Sequence, residues 1–190
     1  DSVVLESEQA LTFLNEWARN QRQRQYRRKI AANPEAIKIV AEGDSWFQFP
    51  FLIHDIIDHL MARPDLAVFC LSAAGDWIRD MTNKAEFLVP IEQEQPQFFL
   101  ISGGGNDMVG GGRLAPLLHP FAVGRPEEEY LNGAFGLFEQ EHQSDYRRLF
   151  NLLIKRFPNL RILCHAYDHA IPRGGAWLGR PMASIGIRDR

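Results

Sequence analysis

The stretch IKIVAEGDSWF, residues 37–47, decides how the chain is read. An apolar run containing Ile37, Ile39 and Val40 stops at Gly43, Asp44 and Ser45. β-Branched residues in a short run favour a strand, and the glycine ends it. Such a turn either closes a strand quietly or presents a hydroxyl to a reaction. Working outward, three more runs read as strands: LAVFCLS (66–72), QFFLISG (97–103) and LRILCHAYD (160–168). Helical patterns fill the intervals. FLIHDIIDHLMA (51–62) places Ile53, Ile56, Ile57 and Leu60 on one side, DWIRDMTN (76–83) starts a short helix, and residues 127–158 contain a long helix broken near Gly133 and Gly136. Strands alternating with helices imply an α/β fold built of parallel βαβ units, with helices on both faces of the sheet.

Residues 7–30 form a further helix, in which Leu11, Leu14, Trp17 and Ala18 recur at helical spacing as an apolar stripe. The basic residues Arg19, Arg22, Arg24, Arg27, Arg28 and Lys29 read as a solvated face, or as a contact for an anionic partner. The expected organisation is an N-terminal helical extension over 1–35 and an α/β domain over 36–190.

The chain has 190 residues, 45% apolar and 24% charged, as in a soluble globular protein. Its formal charge of −3 excludes a globally basic nucleic-acid binder, and no nucleic-acid partner is expected. Cys70 and Cys164 each adjoin an apolar run and read as buried free thiols. No run approaches the ~18 apolar residues of a membrane span. No signal peptide is visible, and a cytoplasmic location is favoured. The chain begins at Asp1 without a methionine, which leaves a fragment and a removed leader both open.

Sheets of this class carry their chemistry at the carboxyl ends of the strands. The four exits are GDSWF, AAGDW, GGGNDM and HAYDHAIP. Known phosphate and nucleophile loops do not fit them. No lysine follows a glycine cluster as a P-loop requires, Met108 stands where the dinucleotide fingerprint needs its third glycine, and Phe47 ends the G-x-S-x-G pattern. His165 and His169 flank Asp168, but a zinc site needs three or four converging ligands; no metal or cofactor is expected.

A serine hydroxyl needs a base, and attack on an ester needs fixed donors for the developing oxyanion. Three donors are available: the backbone N–H of Ser45, the N–H of Gly75, and the side-chain amide of Asn106. The blocks GDS (43–45), AAGD (73–76) and GGND (104–107), in this order and each after a strand, resemble the first three blocks of the SGNH hydrolases, the GDSL-type esterases or lipases. The resemblance covers roughly residues 36–172. It implies a flavodoxin-like three-layer α/β/α sandwich around a five-stranded parallel sheet. It implies metal-independent hydrolysis of a small-molecule, glycan or lipid ester through an acyl-enzyme. Ser45 matches the family's nucleophile, Gly75 its oxyanion glycine and Asn106 its oxyanion asparagine.

The family's last block, D-x-x-H, does not occur: Asp55 leads to Asp58, Asp145 to Arg148 and Asp168 to Ile171. Only four strands are visible. Both gaps lead to the expectation that the polypeptide ends before its catalytic histidine and fifth strand. Two other readings stand beside it, a non-catalytic module binding an acyl or glycan ligand, and recruitment of His165 or His169 as the base. Trp46, Phe47, Phe49, Phe51 and Trp77 either line an apolar pocket or belong to the core.

Overall fold

A computed structural model of the chain describes residues 2–49, 53–167, 175 and 178–188. Four strands form one sheet: β1 (Ile37–Gly43), β2 (Leu66–Cys70), β3 (Phe98–Ser102) and β4 (Arg161–Cys164). All three pairings are parallel, and the spatial order is β2-β1-β3-β4. The helices are α1 (Ser2–Ala32), α2 (Ile56–Ala62), α3 (Ile78–Lys84), α4 (Leu88–Glu94), α5 (Gly105–Val109), α6 (Gly133–Arg156) and α7 (Gly179–Ser184).

The strands sort their side chains by the period of two. Val40, Phe99 and Ile101 point to one face, where they meet Ile78 and Met81 of α3, Ile91 of α4, and Leu149 and Leu153 of α6. Ile39, Ala41, Val68, Cys70 and Leu100 point to the other, against Ile57 and Met61 of α2 and against Phe47. Helix, sheet and helix therefore stack as three layers, the flavodoxin-like α/β/α arrangement with four strands. The chain steps from β1 outward to β2, then returns past β1 to β3. That reversal leaves a crevice at the carboxyl ends of β1 and β3, where open α/β sheets bind ligands.

α1 lies against β2 and spans its length. Near the start of β2, Lys29 Nζ donates to the carbonyls of Met61 and Arg63. At its other end, Asn15 exchanges two hydrogen bonds of 3.0 Å with the backbone of Ala74. The inner face of α1 is Asn15, Ala18, Arg22 and Tyr26, while Leu11 and Trp17 are exposed. Only Ala18 of the expected apolar stripe is buried outright, because the helix packs on polar loop groups as well as on carbon. The arginine run divides in the same way. Arg22 is buried and donates to Phe47 O, Asp55 Oδ2 (2.6 Å) and Asp58 Oδ1 (2.8 Å); Arg19 pairs with Glu86; Arg24, Arg27 and Arg28 are exposed.

Local rules set several boundaries. α2 starts at Ile56, later than the pattern predicts, because Asp55 caps it in a capping box with Asp58. α6 starts at Gly133 with Asn132 as its cap, a short 3-10 turn occupies Glu127–Glu129, and Gly136 runs within the helix without breaking it. α4 is absent from the sequence reading. Its Pro90 sits in the first turn, where no intrahelical N–H is needed. β4 is one of two edge strands in the described sheet and is mostly exposed, so Cys164 is exposed where a buried thiol is expected; Cys70, on the other edge strand β2, is buried, its Sγ against Arg22 of α1. No helix among the described residues is long and apolar enough to cross a membrane.

The last residue of β1 is held by contact. A Cβ on Gly43 would lie 2.7 Å from Ser102 Cβ and 2.8 Å from the Ser102 carbonyl oxygen. Backbone cannot yield as a side-chain tip can. Gly43→Ala is expected to lower unfolding free energy by about 1–3 kcal/mol, measured by urea denaturation.

Candidate active site

The turns after β1, β2 and β3 are joined to one another by hydrogen bonds at the carboxyl edge of the sheet. Ala73 N donates to Gly43 O (2.9 Å), linking the second turn to the first. Asp44 N donates to Ser102 O (3.2 Å), linking the first to the third. Asn106 Nδ2 donates to Asp76 O (2.9 Å) and Ile78 N to Asp107 Oδ2 (3.1 Å), linking the second to the third. Ser45, Gly75 and Asn106 sit one on each of these turns.

The first turn is built on Asp44. Its carbonyl accepts from Phe47 N and Gln48 N, both at 3.0 Å, which coils residues 44–48 tightly. Its carboxylate is buried, and each oxygen is used. Oδ1 accepts from Trp46 N (3.1 Å) and Ser102 Oγ (2.8 Å); Oδ2 accepts from the Tyr167 hydroxyl (2.5 Å). Burial and the Asp44 bond push the Tyr167 phenol upward, so it remains a donor. Ser45 follows, half-buried, and its hydroxyl has no hydrogen-bond partner among the described residues.

Gly75 has φ +93, a conformation that glycine adopts without strain, and it turns the chain directly after the Asn15–Ala74 contact. Among the described residues, neither Ser45 N nor Gly75 N donates a hydrogen bond. Asn106 is buried at the first turn of α5 and gives one of its two amide hydrogens to Asp76 O, leaving the other.

His165 is engaged elsewhere than at Ser45. Its Nε2 lies 2.7 Å from Ser102 Oγ and its Nδ1 lies 3.1 Å from Ala166 O. The Ser102 hydroxyl has one hydrogen, given to Asp44, so His165 Nε2 must carry the proton between them. Neither ring nitrogen presents a lone pair to Ser45. Ser102 and His165 have the spacing of a nucleophile and its base, yet Ser102 has no exposed surface and its hydrogen is directed at a carboxylate. The sequence reading misses Asp44, Ser102 and Tyr167 as a set; their one signal is polar residues at three different strand exits. Asp168 and His169 lie outside the described residues. Among the described residues no three His, Cys, Asp or Glu side chains could hold a metal ion together. The aromatic residues divide: Phe47 is core, Trp46 and Phe49 are exposed, Trp77 packs under Arg113 at 4.9 Å, and Phe51 lies outside the described residues.

Beside the first two turns lie carboxyls held above their ordinary range. Burial raises Glu42, the residue before Gly43, to about 8, against the opposing charge of Arg19. Burial raises Asp76 to about 6 and also raises Asp107. Between pH 4.5 and about 8 the folded protein keeps the Glu42 proton that the unfolded chain has lost. Stability should therefore fall as pH rises through that window, by up to about 1.4 kcal/mol per unit. Glu42→Gln should flatten that slope in urea titrations run at successive pH values.

No protein-family model matches the chain, and no curated protein matches it. Solved structures do. A mutant of esterase AlinE4 aligns with TM-score 0.49 and 18% identity, over 80% of this chain and 69% of that one. A catalytic mutant of Axe2, an acetylxylan esterase from Geobacillus stearothermophilus, aligns with TM-score 0.41 and 17% identity, over 78% and 70%. LAE5, an alpha/beta hydrolase enzyme from the metagenome of Lake Arreo, Spain, aligns with TM-score 0.42 and 18% identity, over 78% and 71%.

Proposed function

We propose that the protein is a serine hydrolase of carboxylic esters, of the SGNH type, acting through an acyl-enzyme at Ser45. The observation that carries this reading is the set of uncommitted donors. Ser45 N, Gly75 N and one Asn106 amide hydrogen lie on three turns bonded to one another at a sheet's switch-point edge. In this reading Ser45 Oγ attacks the ester carbonyl, its proton passes to a base, and the three donors receive the oxyanion. Collapse expels the alcohol and leaves an ester on Ser45, which water then cleaves. The buried Asp44 carboxylate holds the turn that carries the nucleophile, through Ser102, Tyr167 and Trp46 N. The oxyanion donors need no reorganisation, because each turn is fixed by its neighbours. Among the described residues no base is assigned for that proton. His165, with both nitrogens engaged, is not proposed for that role.

A second reading is a module that binds an acyl or glycan ligand without turnover. It is favoured by the absence of a base against Ser45 among the described residues. Hydrolysis of p-nitrophenyl acetate by the product of the complete gene separates the two. The enzyme reading expects turnover. Inactivity on short-chain, long-chain and sugar-linked esters, with ligand binding retained, favours the module.

A further inference from the structure

α1 has two faces of opposite character. Its inner line, Asn15, Ala18, Arg22 and Tyr26, is buried. At 3.6 residues per turn, Phe13, Trp17, Arg24, Arg27 and Arg28 lie within about 60° of one line on the far side. All five are exposed, Phe13 to 65%. The charge is one-sided too. Of the chain's 21 bases and 24 acids, residues 9–32 hold six bases and one acid, Glu16, so the remainder carries a net −8. The acids that bond to α1 are spent on its inner side and flank: Asp55 and Asp58 on Arg22, Glu86 on Arg19, and Glu94 on Tyr26. Lys29 is turned to backbone carbonyls. Arg24, Arg27 and Arg28 have no ion pair and no hydrogen bond among the described residues.

Such a face costs the helix something. Arg24 and Arg28 stand at i and i+4, where like charges repel. A negative counter-surface removes that repulsion. Its shape follows from the face, a convex ridge about 22 Å long from Phe13 to Arg28, which a planar surface meets at every point. Its chemistry follows from the side chains. Aromatic rings and guanidiniums on one line suit a membrane interface, with rings among the acyl chains and arginines at anionic headgroups. We infer that the outer face of α1 docks the protein on an anionic phospholipid surface, Phe13 entering the interface and Arg24, Arg27 and Arg28 meeting headgroups.

The charge pattern also orients the protein. An anionic surface attracts this face and repels the acidic remainder, so one side of the molecule is presented. The Phe13 end of α1 is the end at which Asn15 holds the backbone before Gly75. A docked protein therefore holds its candidate site beside the lipid. The docking itself stands on α1 and holds whether or not Ser45 reacts.

Co-sedimentation of the full chain with sucrose-loaded vesicles tests the inference, using phosphatidylcholine with and without about 30% phosphatidylserine at about 0.1 M salt. Binding is expected to the serine-containing vesicles, and should weaken as salt is raised. Replacing Arg24, Arg27 and Arg28 together by glutamine should lower partitioning about 100-fold. Phe13→Ser should lower it about tenfold and leave the salt dependence unchanged. Arg147→Gln, an exposed arginine of α6, should leave binding as it was. All these side chains are exposed, and circular dichroism checks that each variant keeps its fold. Equal binding to phosphatidylcholine alone, undiminished binding by the triple variant, or an equal loss in Arg147→Gln would overturn the inference. So would absence of vesicle binding in a protein that instead captures a single-stranded oligonucleotide, or pairs with a second copy, through the same three arginines.

Discussion

Replacing Ser45 with alanine is expected to lower ester hydrolysis by the product of the complete gene at least about 10,000-fold. Removing the hydroxyl removes the covalent route, and what remains is binding plus oxyanion stabilisation. Asn106→Ala should cost less, about 100–1000-fold in kcat with KM little changed, because one donor acts on charge that exists only in the transition state. The difference is diagnostic. Asn106 also ties the third turn to the second through Asp76 O. If its role were only to tie the turns, KM and thermal stability would move together with kcat. Steady-state kinetics on p-nitrophenyl acetate, with melting curves of each variant, measure both.

Arg22→Ala is expected to cost about 3–5 kcal/mol of folding stability, the largest loss from a single change in α1. Beside Asn15, which meets Gln48, Arg22 ties α1 to the loop beyond the candidate nucleophile. It donates to Phe47 O, Asp55 Oδ2 and Asp58 Oδ1. The Asp55 side chain is 1% exposed, and it also accepts from Phe49 N and caps α2. Truncating Arg22 leaves that carboxylate buried without its counter-charge. Arg22→Lys should recover only part of the loss, since a single ammonium cannot fork between a carbonyl and two carboxylates. Urea unfolding of both variants gives the values. A loss below about 1 kcal/mol for the alanine variant would mean that the pair behaves as an exposed one.

The sheet was largely legible because its central strands are covered on both faces. Such strands read as nearly continuous apolar runs, as at Ile39–Ala41 and Phe98–Ile101. Their exits were legible because a parallel strand must turn where it meets solvent, and glycine marks those turns. The inner face of α1 was not legible. Asn15 and Arg22 are buried by partners 59 and 33 residues away in sequence, and a helical pattern counts only apolar positions. The cluster of Asp44, Ser102, His165 and Tyr167 escaped for the same reason, since its bonds span up to 123 residues and follow no periodicity. Cys164 was misplaced because burial was inferred from its apolar neighbours, whereas β4 is an edge strand that stays mostly exposed, unlike the edge strand β2, on which α1 packs.

The most direct test of the central claim is to treat the product of the complete gene with a fluorophosphonate and locate the adduct by peptide mass spectrometry. A single adduct on Ser45, absent from the Ser45→Ala protein, is the expected result. An adduct on Ser102 or on another serine, or no adduct in a protein that still hydrolyses esters, would contradict it.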